Sequence, residues 1–154
     1  MALACAPELL IADEPTTALD GTVQAQLLDL LRALRAEQGM SLVLITHNLA
    51  VAAGNCDHIA VMYAGEIVET GPRRARADRP RHPYTIGLLQ SHPSLDDPDA
   101  PILPIPGRIP DPGDWLSGCR FAARCSQRPV ACDAPQSLRP ASDGAVRCCQ
   151  AELA

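Results

Sequence analysis

Glu8-Leu9-Leu10-Ile11-Ala12-Asp13-Glu14-Pro15-Thr16-Thr17-Ala18-Leu19-Asp20 opens on a short apolar run that ends in two adjacent carboxylates. A run of this kind, closed by a proline, reads as a strand buried in a parallel sheet. Such a strand delivers Asp13 to the carboxyl edge of the sheet, where open α/β folds bind their ligands. A carboxylate at that edge holds Mg²⁺ on nucleotide phosphates, and a second one beside it polarises the attacking water. Asp-Glu-Pro is equally an ordinary way to leave a strand, so the residues that follow decide between the two readings.

Val23, Leu27, Leu30, Leu31 and Leu34 recur at helical spacing and predict a helix over 22–37, with Asp20 available as its cap and Gly39 as its stop. Residues 41–46, with their Leu-Val-Leu-Ile content, predict a second buried strand. Strand, helix, strand in this order gives a right-handed parallel crossover. His47 then falls just beyond the carboxyl end of the second strand, as Asp13 and Glu14 do after the first, so one sheet edge gathers all three. Further on, a short helix over 49–53 precedes two strands, 59–63 and 67–70, which flank a tight turn at Ala64-Gly65 as an edge hairpin. A helical turn through the arginine-rich stretch and a helix over 83–90, with Pro83 at its start, complete the regular part. From Ser91 onward Pro, Gly, Asp and Cys dominate with little periodicity.

The apolar run into Asp13-Glu14, then Thr17-Ala18-Leu19-Asp20, then Leu42-Val43-Leu44-Ile45-Thr46-His47 resemble, in order, the Walker B strand, the D-loop and the switch histidine of an ABC-type ATPase domain. The resemblance implies that Asp13 acts on Mg²⁺, Glu14 on the hydrolytic water and His47 on the γ-phosphate of ATP. It places Asp20 in the loop that communicates across a nucleotide-sandwiched dimer. Asn48 departs from the pattern, because the family usually has Asp after the histidine. A triphosphate needs a Gly-rich loop with a lysine, and all 13 basic residues here are arginines. The glutamine loop and the Leu-Ser-Gly-Gly-Gln signature are also absent, and residues 1–7 look like the helix end that follows that signature. The fold expected is therefore α/β: an incomplete P-loop NTPase core of ABC type with parallel strands and an edge hairpin. The chain reads as the carboxyl-terminal part of a longer subunit.

His82-Pro83-Tyr84-Thr85 with Leu88-Leu89, then Ile105-Pro106-Gly107, Gly118-Cys119-Arg120-Phe121 and Arg124-Cys125 resemble the carboxyl-terminal extension of ATP-binding subunits in oligopeptide and dipeptide importers. Three regions follow: 1–72, the ATPase half; 73–94, a helical connector; and 95–154, a Pro/Cys-rich extension. The resemblance implies a cytoplasmic motor subunit, peripheral on the inner face of the membrane. It would pair with a second ATP-binding subunit, dock on two permease subunits and drive uptake of peptides brought by an extracytoplasmic solute-binding protein.

Cys119, Cys125, Cys132 and Cys148 form a C-x5-C-x6-C-x15-C series in a segment poor in large apolar residues. Such segments usually need a staple. Thiolate sulfur suits iron–sulfur clusters and zinc alike, but neither the close paired spacing of structural zinc nor the common ferredoxin run is present. The family resemblance implies a four-iron four-sulfur cluster on these four cysteines, with zinc and free thiols as the alternatives and Cys149 as a substitute ligand. Cys5 and Cys56 read as small buried thiols. Trp115 and Phe121 read as the apolar centre of the cysteine segment, and His58, His82 and His92 as surface or packing residues.

With 154 residues, 47% of them apolar, the chain suits one globular domain or slightly more. A net charge of −5 argues against a nucleic-acid partner, which wants a concentrated basic face. No segment reaches the roughly 20 apolar residues that span a bilayer. Two rival functions stand beside the importer subunit: a non-catalytic module that binds a metal or iron–sulfur centre, and a fragment of a non-transport ABC-type ATPase.

Overall fold

The computed structural model describes residues 3, 5–91, 101–115 and 117–150, which form two compact units, Met1–Cys56 and Asp57–Ala154. His92 lies outside the described residues. The architecture is mixed α/β, with a parallel pair of strands in the first unit and an antiparallel sheet in the second.

In the first unit β1 (Leu9–Asp13) runs parallel to β2 (Ser41–Ile45), from Leu9 opposite Ser41 to Asp13 opposite Ile45. The helix between them, α1 (Gly21–Gln38), starts where the Asp20 carboxylate accepts the amides of Thr22 and Val23. It stops at Gly39, whose φ of 64° suits a residue without Cβ. Leu28 and Leu31 on its inner face and Met40 just beyond it are buried. A short helix, α2 (Leu49–Asn55), follows, and Asn48 caps it by accepting the amides of Ala50 and Val51. Asn caps about as well as Asp, so the departure at this position leaves the helix start intact.

Both strands were expected to be buried on two faces, but the structure covers them unevenly. Leu9, Ile11, Val43 and Ile45 share one open face and are 49%, 61%, 44% and 46% exposed. Their alternates are half-buried.

In the second unit β3 (His58–Tyr63) and β4 (Glu66–Pro72) form the hairpin predicted around Ala64-Gly65. Both turn residues have positive φ, 46° and 81°, the geometry whose twist matches antiparallel strands. The hairpin is not simply an edge element, however. The free side of β4 takes β6 (Gly144–Val146), and β5 (Arg139–Ala141) pairs beyond it, giving the order β3-β4-β6-β5. These two strands escape sequence reading because they are three residues long and contain Pro140 and Gly144, so no alternation builds up. Residues from the cysteine-rich segment thus finish the sheet that the hairpin starts.

α3 (Arg73–Asp78) and α4 (Pro83–Gln90) follow the hairpin, with Pro83 in the first turn of α4 as predicted. Phe121, 3% exposed, packs its ring 5.2 Å from Tyr63, 5.5 Å from Tyr84 and 5.8 Å from His82. Phe121 is therefore the centre expected of it. Trp115 is not, for it is 37% exposed and stacks on the Arg120 guanidinium, 3.8 Å from the ring centroid.

Glu69 is fully buried on β4, where its carboxylate accepts the amides of Arg81 at 2.8 Å and His82 at 3.1 Å. Charged acceptors that take amide hydrogens are tolerated in an interior. The neighbouring His82 is 1% exposed, and its Nδ1 accepts the Tyr84 amide at 3.0 Å to cap α4. An accepting Nδ1 fixes the neutral tautomer with its proton on Nε2. Burial pushes the imidazole down to about 4 from the ordinary 6.5, against the opposing pull of Glu69.

The folded value lies below the unfolded one, so the unfolded chain takes up the proton first. The contribution is complete above 6.5 and is lost as pH falls towards 4. The lowering corresponds to about 3 kcal/mol. Urea unfolding of the second unit at pH 7 and pH 4.5 measures this loss. His82→Asn, which keeps a capping oxygen but does not titrate, flattens the slope in that window; an equal slope in the variant assigns the acid lability to another group.

Candidate functional site

Asp13 is the last residue of β1 and Glu14 the first beyond it, where the Glu14 amide donates to the Ile45 carbonyl at 3.0 Å. This bond extends the β1–β2 pairing by one step, and it holds Glu14 at a φ of 45°, a conformation that L-residues other than Asn and Asp seldom adopt. The turn brings the Glu14 carboxylate against His47, just past the end of β2. The His47 amide donates to Oε1 at 2.9 Å, and its Nδ1 stands 2.9 Å from both carboxylate oxygens. Since a carboxylate only accepts, Nδ1 carries a proton.

Thr17 completes the clamp, its hydroxyl donating to Oε2 at 3.1 Å. The His47 hydrogen bond, helped by Thr17, holds the Glu14 carboxyl below the ordinary carboxylate range although burial opposes it. Thr17 is the member that sequence reading passed over as loop. Its spacing of three from Glu14, across a turn that its own amide closes onto the Glu14 carbonyl, is the signal.

The Asp13 carboxylate is exposed and has no hydrogen-bond or ion-pair partner among the described residues. It is a hard oxygen donor left uncommitted at a sheet edge, the donor chemistry that Mg²⁺ takes. Asp20, assigned to nucleotide communication by resemblance, has its Oδ1 engaged in capping α1.

In the second unit Cys119, Cys125, Cys132 and Cys148 line one small cavity, with His82 and Phe121 in its wall. Its volume is about 10 Å³, room for roughly one water. Burial pushes the thiols of Cys119 and Cys125 up, and burial together with contact from Cys149 pushes Cys132 up to about 12.

The sulfur of Cys132 lies 3.4 Å from that of Cys149. Among the described residues, no three His, Cys, Asp or Glu side chains stand as a group that holds a metal ion. The expected set of Cys119, Cys125, Cys132 and Cys148 lines one cavity, and the side chains do not stand as a ligand group there. Cys5 is exposed and Cys56 half-buried, so neither is the buried thiol expected.

The family described as oligopeptide/dipeptide transporter, C-terminal region, matches residues 68–132. A protein of Brucella melitensis biotype 1 named as a peptide import ATP-binding protein is 50% identical over 154 residues, covering 99% of this chain and 46% of the relative. A protein of Brucella abortus strain 2308 with the same designation shows the same identity and coverage. One from Brucella ovis is 51% identical over 140 residues, covering 87% of this chain and 41% of its own length. The chain spans less than half the length of these curated relatives. No helix among the described residues is long and apolar enough to cross a membrane.

Proposed function

This chain belongs to the oligopeptide/dipeptide transporter family, as the C-terminal part of its ATP-binding subunits, and from that membership we propose that it carries the hydrolytic edge of an ATPase that drives peptide uptake. The observation that supports this most is the Glu14 carboxylate, held by the amide and ring of His47 and by Thr17 beside an uncommitted Asp13.

In this reading Glu14 orients the attacking water and takes its proton as the water adds in line to the γ-phosphate of ATP. Its lowered pKa keeps it ionised and makes it a weaker base, so its fixed orientation towards the water carries the role. His47 donates through Nδ1 to Glu14, so its Nε2 donates to a phosphate oxygen only in the imidazolium form. Asp13 holds Mg²⁺, which when bound neutralises charge on the phosphates. Thr17 is a positioning residue.

These 154 residues contain no Gly-rich, lysine-bearing phosphate loop, so in this reading the cradle would be supplied by another sequence. The assembly would include a second ATP-binding subunit, two permeases and an extracytoplasmic solute-binding protein, with this subunit on the cytoplasmic face of the membrane. Neither an iron–sulfur cluster nor zinc finds an assembled ligand set on Cys119, Cys125, Cys132 and Cys148, and no step runs through either.

The test is a chimera joining the amino-terminal half of the Brucella melitensis relative to this chain. It hydrolyses ATP with a magnesium requirement that Asp13→Asn raises about tenfold, the effect of losing about 1.4 kcal/mol of ligation. An unchanged requirement removes Asp13 as the ligand. A chimera that binds ATP and never hydrolyses it makes the chain a non-catalytic module.

A further inference from the structure

We propose that the cavity between α4, residues 103–107 and residues 121–127 binds a small carboxylate with an apolar body through Arg124. That chemistry is shared by the end of a short apolar peptide and by a medium-chain fatty acid. The inference lies wholly within the second unit and does not depend on the ATPase reading. The cavity has a volume of about 500 Å³, inside the range of about 300–1,000 Å³ that takes a small ligand.

Its walls are tied to one another. The Leu103 amide donates to the Gln90 carbonyl at the end of α4, at 3.0 Å. Gly87 lies so close to Ile105 that a Cβ there would stand 3.0 Å from the Ile105 Cγ1. Ile86, Leu103 and Ile105 give the cavity its apolar lining, and Leu103 is still 53% exposed beside it. The apolar body of a ligand would remove that surface from water.

Arg124 also lines the cavity and is half-buried. Its Nε donates to the Pro106 carbonyl at 2.7 Å and its Nη2 to the Ile105 carbonyl at 3.0 Å, while Nη1 stands 3.5 Å from the Tyr63 hydroxyl. Gly107, with a φ of 73°, turns the chain directly after those two carbonyls, and the Arg124 Cγ passes 3.6 Å from where its Cβ would lie. All three acceptors are neutral. Arg81, Arg120, Arg128 and Arg147 of the same unit each stand within 4 Å of a carboxylate oxygen. Arg124 has no such pair among the described residues.

A guanidinium has five N–H groups. With three engaged, one is left on each of Nη1 and Nη2, and a carboxylate accepts from such a pair with bonds roughly twice as strong as neutral ones. Half-burial strengthens the attraction further, because water screens it less. The Gln90 and Gln127 side chains line the same cavity. Each amide both donates and accepts, so together they match the N–H and C=O of a peptide group and find no partner on a fatty acid. Of the two sources, the lining therefore favours the peptide.

Leucyl-leucine and octanoate, titrated without nucleotide into the full 154-residue chain and into the chimera described above, test the proposal by calorimetry and saturation-transfer NMR. At least one acid binds saturably with a Kd below about 1 mM, and the tighter of the two identifies the source. Its uncharged counterpart, leucyl-leucinamide or octanamide, binds at least about tenfold more weakly, as does the acid to Arg124→Gln. Arg124 also holds residues 105–106, so a second variant leaves it untouched. Ala123→Trp, at an exposed position of the lining, fills the cavity and abolishes binding while the circular dichroism spectrum is retained. Equal binding of acid and amide, full binding by Ala123→Trp, or no saturable binding of either acid to chain or chimera overturns the proposal.

Discussion

Glu14→Gln, made in the chimera of this chain with the amino-terminal half of its Brucella melitensis relative, leaves ATP binding intact and slows hydrolysis by about 10²–10⁴-fold. The amide keeps the shape of the side chain and still accepts the His47 amide at Oε1. It cannot take a proton from water, which is the part proposed for the carboxylate. The substitution also turns one acceptor into an NH₂ group facing the His47 ring and the Thr17 hydroxyl, both of which donate to Glu14 in the native chain. Single-turnover rates separate the step from nucleotide exchange, and a labelled ATP analogue measures binding. Hydrolysis within a few-fold of the unmodified rate would show that another group activates the water. Thr17→Ala has a smaller effect in the same assay, because the two His47 contacts still hold the carboxylate.

Gly144→Ala destabilises the second unit by about 4 kcal/mol, a sum of backbone strain and overpacking. Gly144 begins β6 with a φ of 143°, a region essentially closed to residues with a Cβ. A Cβ there would fall onto the Thr70 carbonyl oxygen and within 2.8 Å of the Gly71 Cα. Both obstacles are backbone of the neighbouring strand, and the Thr70–Ala145 and Glu69–Val146 pairs fix their position. Relief therefore requires breaking the β4–β6 ladder. Urea unfolding read by circular dichroism measures the loss, and a change under 1 kcal/mol would mean that β6 is not seated on β4 in solution.

Much of the first unit is legible from sequence because its signals are local and strong. Asp20, the helical run of leucines and Gly39 set the limits of α1 to within a residue or two, and the two apolar runs give β1 and β2. The convergence of Glu14 and His47 follows from topology, since residues after parallel neighbouring strands meet at one edge. Topology does not show Thr17, because a hydroxyl's partner depends on the local turn.

The second unit is harder to read. β5 and β6 form because their backbone groups find β4, not because three residues carry a preference, and tertiary pairing of that kind leaves little mark in composition. The cysteine series has the same limit: the family resemblance implies that four sulfurs come together, and only side-chain packing shows that Cys132 faces Cys149. His82 reads as a surface or packing residue, and burial makes it the second. Its double role, capping α4 and standing neutral beside Glu69, arises from tertiary contacts that leave no local mark in the sequence.

The chain contains a single tryptophan. Its ring covers the hairpin tip, 3.2 Å from where a Cβ on Gly65 would lie, and the cation of Arg120 rests on its face while also bonding the Ala64 carbonyl. Indole emission responds to charge and solvent at the ring. The molecule thus carries an unlabelled optical gauge of its own assembly: the colour and brightness of Trp115 report whether the segment bearing it is resting on the tip or has lifted away, at micromolar concentration and in real time.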